Sequence, residues 1–356
     1  TDVQTQIAGL HFTSFRLWAA LQGKVPRISV NNGYCFAGNA ALFGSADVRI
    51  ATASSNIGMA GPAMIEGGGL GQFSPAEIGP VEVQTKNGVI DLLAKDEAEA
   101  TVLAKNVLAY WQGPLTEWRG EDQLPLRNSL PLDRRFAYDI RTIIKLIADT
   151  NSVTELRQNS GTALVTAFIR IEGKAIGLIA NNSRVLGGAV DSAAADKATW
   201  FFKLCQRWQL PMVSLCDTPG FMVGPESESE AAVSRMSSMF SAGAQLETPL
   251  VAIFLRKAYG LGAMAMCGGD FHRPVYSASW PSGEFGGMGL EGAVNLGFKK
   301  ELDAAESEEE RQALFDQLLA AAYESGKATE AASFLEIDAV IDPIDTRKVI
   351  KLALTV

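Results

Sequence analysis

Two short stretches of this chain carry the residues best suited to chemistry. One reads NGYCFAGNAALFG around Tyr34, the other RKAYGLGAMAM around Tyr259. Each leaves an apolar strand through a turn of aromatic residues and glycine and enters a helix of small residues. The first N–H groups of a helix have no partner inside it and sit at the positive end of its dipole. Aimed at an oxygen that becomes negative during a reaction, such N–H groups form an oxyanion hole.

Side-chain chemistry is harder to assemble. The only histidines, His11 and His272, are far apart in sequence, and no His, Cys or carboxylate cluster has metal-ligand spacing. No G-x-S-x-G nucleophile elbow is present. Gly67-Gly68-Gly69-Leu70-Gly71 is rich in glycine but lacks the Lys-Ser/Thr of a phosphate loop, so it reads as a loop. The residues therefore favour a mechanism run by backbone donors.

The elements that position these turns repeat. Val25–Pro62 and Thr248–Gly292 both run apolar strand, turn, small-residue helix, second strand, then serine and a Gly-Met segment. Aligned on their residue types, Tyr34 falls on Tyr259, and Asn56-Ile57-Gly58-Met59 on the Phe285 to Met288 region. A repeat of this kind means one structural unit used twice. Elsewhere the pattern predicts strands at 26–31, 48–52, 163–171, 174–180, 211–216 and 335–341. It predicts helices at 38–45, 95–111, 139–149, 193–208, 229–246, 306–325 and 345–354. Glu172-Gly173 is a two-residue hairpin signal. Residues 113–135, with several prolines and arginines and little periodicity, read as a linker of surface character. Alternating strands and helices give an α/β fold, with domains expected at 1–135 and 136–356. The second copy has a much longer lead-in than the first, so the first domain is expected to be incomplete at its N-terminus.

Composition sets outer limits. The chain has 356 residues, 47% hydrophobic and 20% charged, enough for two ordered domains. A net charge of −9 argues against nucleic acid as a partner. Cys35, Cys205, Cys216 and Cys267 lie in apolar segments without paired spacing, which points to reduced thiols and a cytoplasmic location. Neither a membrane-length apolar run nor a signal peptide is visible, so no membrane partner is expected.

Longer segments make the chain recognisable. IEGKAIGLIANN, GGAVDSAAADKATWFFKLC, LPMVSLCDTPGFMVG, FLRKAYGLGAMAM and GLEGAVNLGFKKEL in the second half are similar to the carboxyltransferase component of biotin-dependent acyl-CoA carboxylases. The first half resembles it through NGYCFAGNAALFGSADV, NIGMAGPAMIEGGG, PAEIGP and GVIDLLAKDEAEA. GLGAMAM in particular resembles the single-chain long-chain acyl-CoA carboxylases and their methylcrotonyl-type relatives.

The resemblance implies two crotonase-like (ClpP/crotonase) β-β-α superhelix domains. It implies transfer of CO2 from carboxybiotin, on a separate carrier, to an acyl-CoA thioester, with no metal in this component. The first oxyanion hole would be Ala37, Gly38 and Asn39. The second would be Leu261, Gly262 and Ala263, opposed by Gly220, Phe221 and Met222. By analogy with crotonases the first leans toward CoA and the second toward biotin. Tyr259, Lys257, Gly61 and Met264 would contact substrate, Met264 standing where many relatives carry a selecting aspartate. Gln84 stands near a histidine of many relatives and receives no role. Arg256 and Lys257 read either as a solvated edge or as contacts to a CoA phosphate or a carboxylate. Biotin carboxylase and biotin carboxyl carrier domains or subunits are the implied partners. A homo-hexamer is implied too, its active sites shared between subunits. Two alternatives stay open: a biotin-dependent acyl-CoA decarboxylase subunit, and a non-catalytic assembly subunit.

Overall fold

The computed structural model describes residues 12–354, so His11 lies outside the described residues. The chain forms two compact units, divided between Leu108 and Ala109. Residues 109–135 thus lie with the second unit. They hold little regular structure, yet Leu126 is fully buried in that unit's core, and Leu115 N–H donates to Gly173 O at 3.0 Å.

In the first unit, β1 (Ile28–Asn31), β3 (Val48–Thr52) and β5 (Leu92–Ala94) make a parallel three-stranded sheet in the order β1-β3-β5. Two shorter strands, β2 (Tyr34–Phe36) and β4 (Asn56–Gly58), pair separately and in parallel. Cys35, Ala40, Phe43, Ala51, Ile57, Val81 and Ile90 form its core. Two well-buried ion pairs, Arg27–Asp47 at 3.1 Å and Arg49–Asp91 at 2.8 Å, fasten the strand ends. Each carboxylate also accepts a backbone N–H, which offsets the desolvation that such pairs suffer.

The second unit carries one eight-stranded sheet. Its strands are β6 (Thr154–Leu156), β7 (Leu164–Ile171), β8 (Lys174–Asn181), β9 (Met212–Thr218), β10 (Leu250–Tyr259), β11 (Tyr276–Ser279), β12 (Glu284–Gly286) and β13 (Ala339–Val340). The order is β13-β11-β10-β9-β8-β7-β6, with β12 added to β10. β7 and β8 form the expected hairpin; Glu172 and Gly173 both have positive φ, as a primed turn requires. One face of the sheet buries Ile143, Ile144 and Ile147 of helix Ile140–Ile147. The aromatic cluster of Phe168, Phe201 and Trp208 ties strand β7 to helix Ser192–Trp208. Truncating any of these to alanine would cost roughly 2–5 kcal/mol.

The internal repeat is present in a different register from the one that residue types suggest. Phe36 pairs with Gly58, and Tyr259 pairs with Gly286. The next residue in each copy is left-handed, Ala37 at φ 53° and Gly260 at φ 57°. Phe36, not Tyr34, is therefore the counterpart of Tyr259, and Gly58 of Gly286. The slip is two residues at Tyr34 and one at Gly58. The two-residue slip keeps every side chain of its strand on its own face, so alternation there cannot expose the error. The first unit holds counterparts of β10 to β13. The edge of β1 occupies the position that β9 covers on β10.

Candidate active site

The turn in the second unit is built by close backbone approach. Gly262 is buried, and a Cβ placed there would lie 2.5 Å from Gly220 C and 2.8 Å from Phe221 N. Only glycine permits that contact. Gly220 itself has φ 120°. Its N–H donates to Thr218 Oγ1 at 3.1 Å, and its carbonyl accepts from Val190 N at 3.0 Å. Met222 N–H donates to Val190 O, so Met222 does not join the donor set as expected; Phe221 N–H lies between two ladder bonds and meets no acceptor among the described residues. Leu261, at the start of helix Gly260–Met266, is 60% exposed, whereas Ala263 is fully buried.

Beneath the turn sits Asp217, fully buried at the end of β9. It accepts from Arg256 Nη2 at 3.0 Å and from Lys257 N at 3.1 Å, while its own N–H donates to Asn181 Oδ1. Arg256 also donates to the carbonyls of Arg134 and Phe136. With 3% of its surface exposed, it is neither a solvated edge nor a free phosphate ligand. Its charge is committed to holding the strand end. Lys257 is different. Its Nζ donates to Gly187 O at 2.7 Å and lies 3.9 Å from Asp217 Oδ1. Burial pulls its pKa below the ordinary lysine value.

Tyr259 Oη donates to Glu284 Oε2 at 2.8 Å, and burial with the neighbouring carboxylate pushes the phenol well above its usual range. Burial likewise raises Glu284. Met264, half-buried, faces a cavity of about 340 Å³ that Gly260, Phe271, Phe285 and Gly287 also line.

In the first unit, Ala37 N–H donates to Gly58 O at 3.1 Å. The N–H groups of Gly38 and Asn39, opening helix Gly38–Gly44, meet no acceptor among the described residues. The Phe15 ring lies 3.1 Å from where a Gly38 Cβ would sit. Gly61 caps helix Pro62–Gly67 and packs on Phe36. Gln84 is structural, since its Nε2 donates to Ile57 O at 2.5 Å.

The structure thus groups Lys257, Tyr259, Leu261, Gly262, Ala263 and Met264 with Gly220 and Phe221 in one unit, and Ala37, Gly38, Asn39 and Gly61 in the other. The sequence reading missed Gly260, the true counterpart of Ala37, and it missed Glu284 and Arg134. Gly260 was signalled by its place after an aromatic strand end. Nothing local signals the other two. Among the described residues no cluster of His, Cys, Asp and Glu could hold a metal, and no helix is long and apolar enough to cross a membrane.

The fold that carries these turns belongs to a known class, which the family comparison shows. Residues 11–356 match the carboxyl transferase domain, and the chain belongs to that family. It is 33% identical over 343 residues to the methylmalonyl-CoA carboxyltransferase 12S subunit of Propionibacterium freudenreichii subsp. shermanii, covering 94% of this chain and 65% of that one. It is 32% identical to the biotin-dependent acetyl-/propionyl-coenzyme A carboxylase beta6 subunit of Mycobacterium tuberculosis, covering 96% of this chain and 73% of that one. Among solved structures, a single-chain, multi-domain long-chain acyl-CoA carboxylase matches with TM-score 0.92 and 53% identity over 99% of this chain. The transcarboxylase 12S hexamer with methylmalonyl-CoA bound matches with TM-score 0.86 and 30% identity, over 96% of this chain and 67% of that one. The crotonase-like fold follows from these matches. The chain spans about two-thirds of the 12S subunit and 35% of the single-chain carboxylase.

Proposed function

We propose that this chain is the carboxyltransferase of a biotin-dependent acyl-CoA carboxylase or transcarboxylase. The observation that carries the reading is the close contact of Gly262 with Gly220 and Phe221. It brings two backbone segments together without any side chain intervening, and one of them carries the unpaired N–H of Phe221. The carbonyl of a ureido ring or a thioester is an acceptor that such donors fit. Carboxybiotin, presented by a carrier domain or subunit, supplies CO2 when bound.

The chain's own groups do the rest. Phe221 N–H and the N–H groups of Leu261 and Gly262 would hold the biotin ureido oxygen. Gly38 and Asn39 N–H, in the first unit, would hold the thioester oxygen of acyl-CoA, with Ala37 setting the turn. One such donor is worth roughly 3–4 kcal/mol in the transition state. Met264 would select the acyl group by filling its cavity with an apolar side chain. Lys257, Tyr259 and Gly61 would support substrate at the margins. Biotin carboxylase and biotin carboxyl carrier partners, and assembly as a hexamer, belong to the same reading, supported by what the matched proteins are.

The test is product formation. The chain is combined with biotin carboxylase, biotinylated carrier, ATP and labelled bicarbonate, then offered short, branched and long acyl-CoAs. Label transferred to acyl-CoA supports the proposal. Its absence with every acyl-CoA, while the carrier is carboxylated, refutes it.

A further inference from the structure

Strand β10 changes partners along its length. Val251 to Phe254 pair with β9 and β11; the register then shifts, and Lys257, Ala258 and Tyr259 pair with Glu284, Phe285 and Gly286 of β12. Side chains repeat the last link, because Tyr259 Oη donates to Glu284 Oε2 at 2.8 Å. Tyr259 is the residue directly before left-handed Gly260.

The other Glu284 oxygen lies 3.8 Å from Arg134 Nη1. Arg134 is itself held twice. Its guanidinium lies 3.1 Å over the ring of Tyr323, and its carbonyl accepts from Arg256 Nη1 at 2.8 Å. Arg256 binds Asp217, and Asp217 accepts from Lys257 N. Glu284 closes this ring of contacts around the end of β10. Its side chain is 17% exposed and lines a cavity of about 420 Å³ with Arg134, Arg256 and Ser282, which gives protons a route to it.

The surroundings carry both signs. Cations come from the 130–136 segment (Arg134) and from β10 (Arg256, Lys257). Asp217 faces it from β9, and Tyr323, whose hydroxyl donates to Glu291, faces it from helix Glu308–Ser325. Lys327 bridges its backbone. Burial outweighs the cations and the Tyr259 hydrogen bond, so the carboxyl titrates above its ordinary value.

We infer that Glu284 is a positioning residue for the Gly260–Ala263 turn. Ionised, it draws Tyr259 and Arg134 together and fixes the junction of β10 with the helix; protonated, it releases Arg134 and the junction loosens. The inference rests on the proposed function, in which that turn supplies oxyanion donors. It has a signature that a merely structural carboxylate lacks. A raised folded-state pKa means the fold binds this proton more tightly than the unfolded chain. As pH climbs from the ordinary value to the raised one, Glu284 therefore contributes falling stability. Activity rises through the same window, so the two move in opposite directions.

The experiment measures kcat, KM and melting temperature between about pH 5 and 8 in the carboxyl-transfer assay. The variants are Glu284→Gln, Tyr259→Phe and Gly262→Ala, each in the full chain with its carrier. Wild type is expected to lose kcat on the acid side. Glu284→Gln should abolish that limb, leave kcat roughly tenfold low with KM little changed, and melt no lower than wild type. Tyr259→Phe removes a hydrogen bond to the carboxylate and should move the limb to higher pH. An acid limb unchanged in Glu284→Gln, or unmoved in Tyr259→Phe, overturns the inference. So does a loss of kcat that merely follows melting. If Glu284→Gln behaves as wild type while Gly262→Ala is inactive, this inference alone falls. If Gly262→Ala is also fully active, the proposed function falls with it.

Discussion

Replacing Gly262 by alanine adds one methyl group where the structure has no room. The new Cβ would stand 2.5 Å from Gly220 C, 2.7 Å from Gly220 Cα and 2.8 Å from Phe221 N. All three are backbone atoms, so no side chain can rotate away. Restoring ordinary contact needs a separation greater by about 1 Å, and a misplacement of that size costs roughly 10²-fold in a positioned reaction. Losing one oxyanion donor outright costs about 10²–10³-fold in kcat. Overpacking should lower stability by about 1–3 kcal/mol, a loss that a folded domain survives. Gly262→Ala is therefore expected to fold, to melt a few degrees lower and to transfer carboxyl groups at least 10²-fold more slowly (about 2.7 kcal/mol). Gly297→Ala is the control, since nothing lies within 4 Å of its added Cβ and its φ is not positive. Stopped-time transfer of label to acyl-CoA gives kcat, and calorimetry gives the melting temperature. A Gly262→Ala enzyme within threefold (about 0.65 kcal/mol) of wild-type kcat would refute the argument.

Met264→Asp places a carboxylate against the Phe271 and Phe285 rings of its cavity, and a long acyl chain would leave that charge without water. The ratio of kcat/KM for long over short acyl-CoA should fall by about tenfold per 1.4 kcal/mol of added cost; an unchanged ratio removes Met264 from the acyl pocket. Asp217→Asn leaves buried Arg256 without its counter-charge and should cost about 3–5 kcal/mol, read by urea denaturation. Lys197 is buried beneath β7, donating to Arg157 O and Leu164 O, and burial lowers its pKa to about 7. The unfolded chain then binds a proton that the fold does not, so stability should rise with pH from about 7 toward 10, by at most about 1.4 kcal/mol per unit. Lys197→Met should flatten that slope in denaturation curves taken across this range.

Long elements were legible because their periodicity is local. β7 and β8 flank a turn whose two residues accept positive φ, and Ser192–Trp208 carries its aromatic stripe at helical spacing. Strands of three residues were not. β4, β6 and β12 exist because a distant partner sets their register, and three residues hold too little pattern to declare it. The glycine turns stood out in the sequence, yet the strand before them slipped by two at Tyr34, because a strand looks the same after two residues. Arg256 stays open in the sequence between a solvated edge and a phosphate or carboxylate contact, because sequence polarity cannot distinguish a solvated arginine from one enclosed by Asp217. The approach of Arg134 to Glu284 joins residues far apart in the chain and left no local trace.

The contact of Gly262 with Gly220 has a consequence for how this protein tolerates change. An alanine scan records what a side chain contributed, and at these two positions there is none to remove. Tolerance should be lowest where every substitution adds an atom. It should recover at once at Leu261, whose exposed side chain the turn does not use for its own packing. Descendants of this sequence can replace much of their side-chain complement while the empty space beside the turn is inherited unchanged.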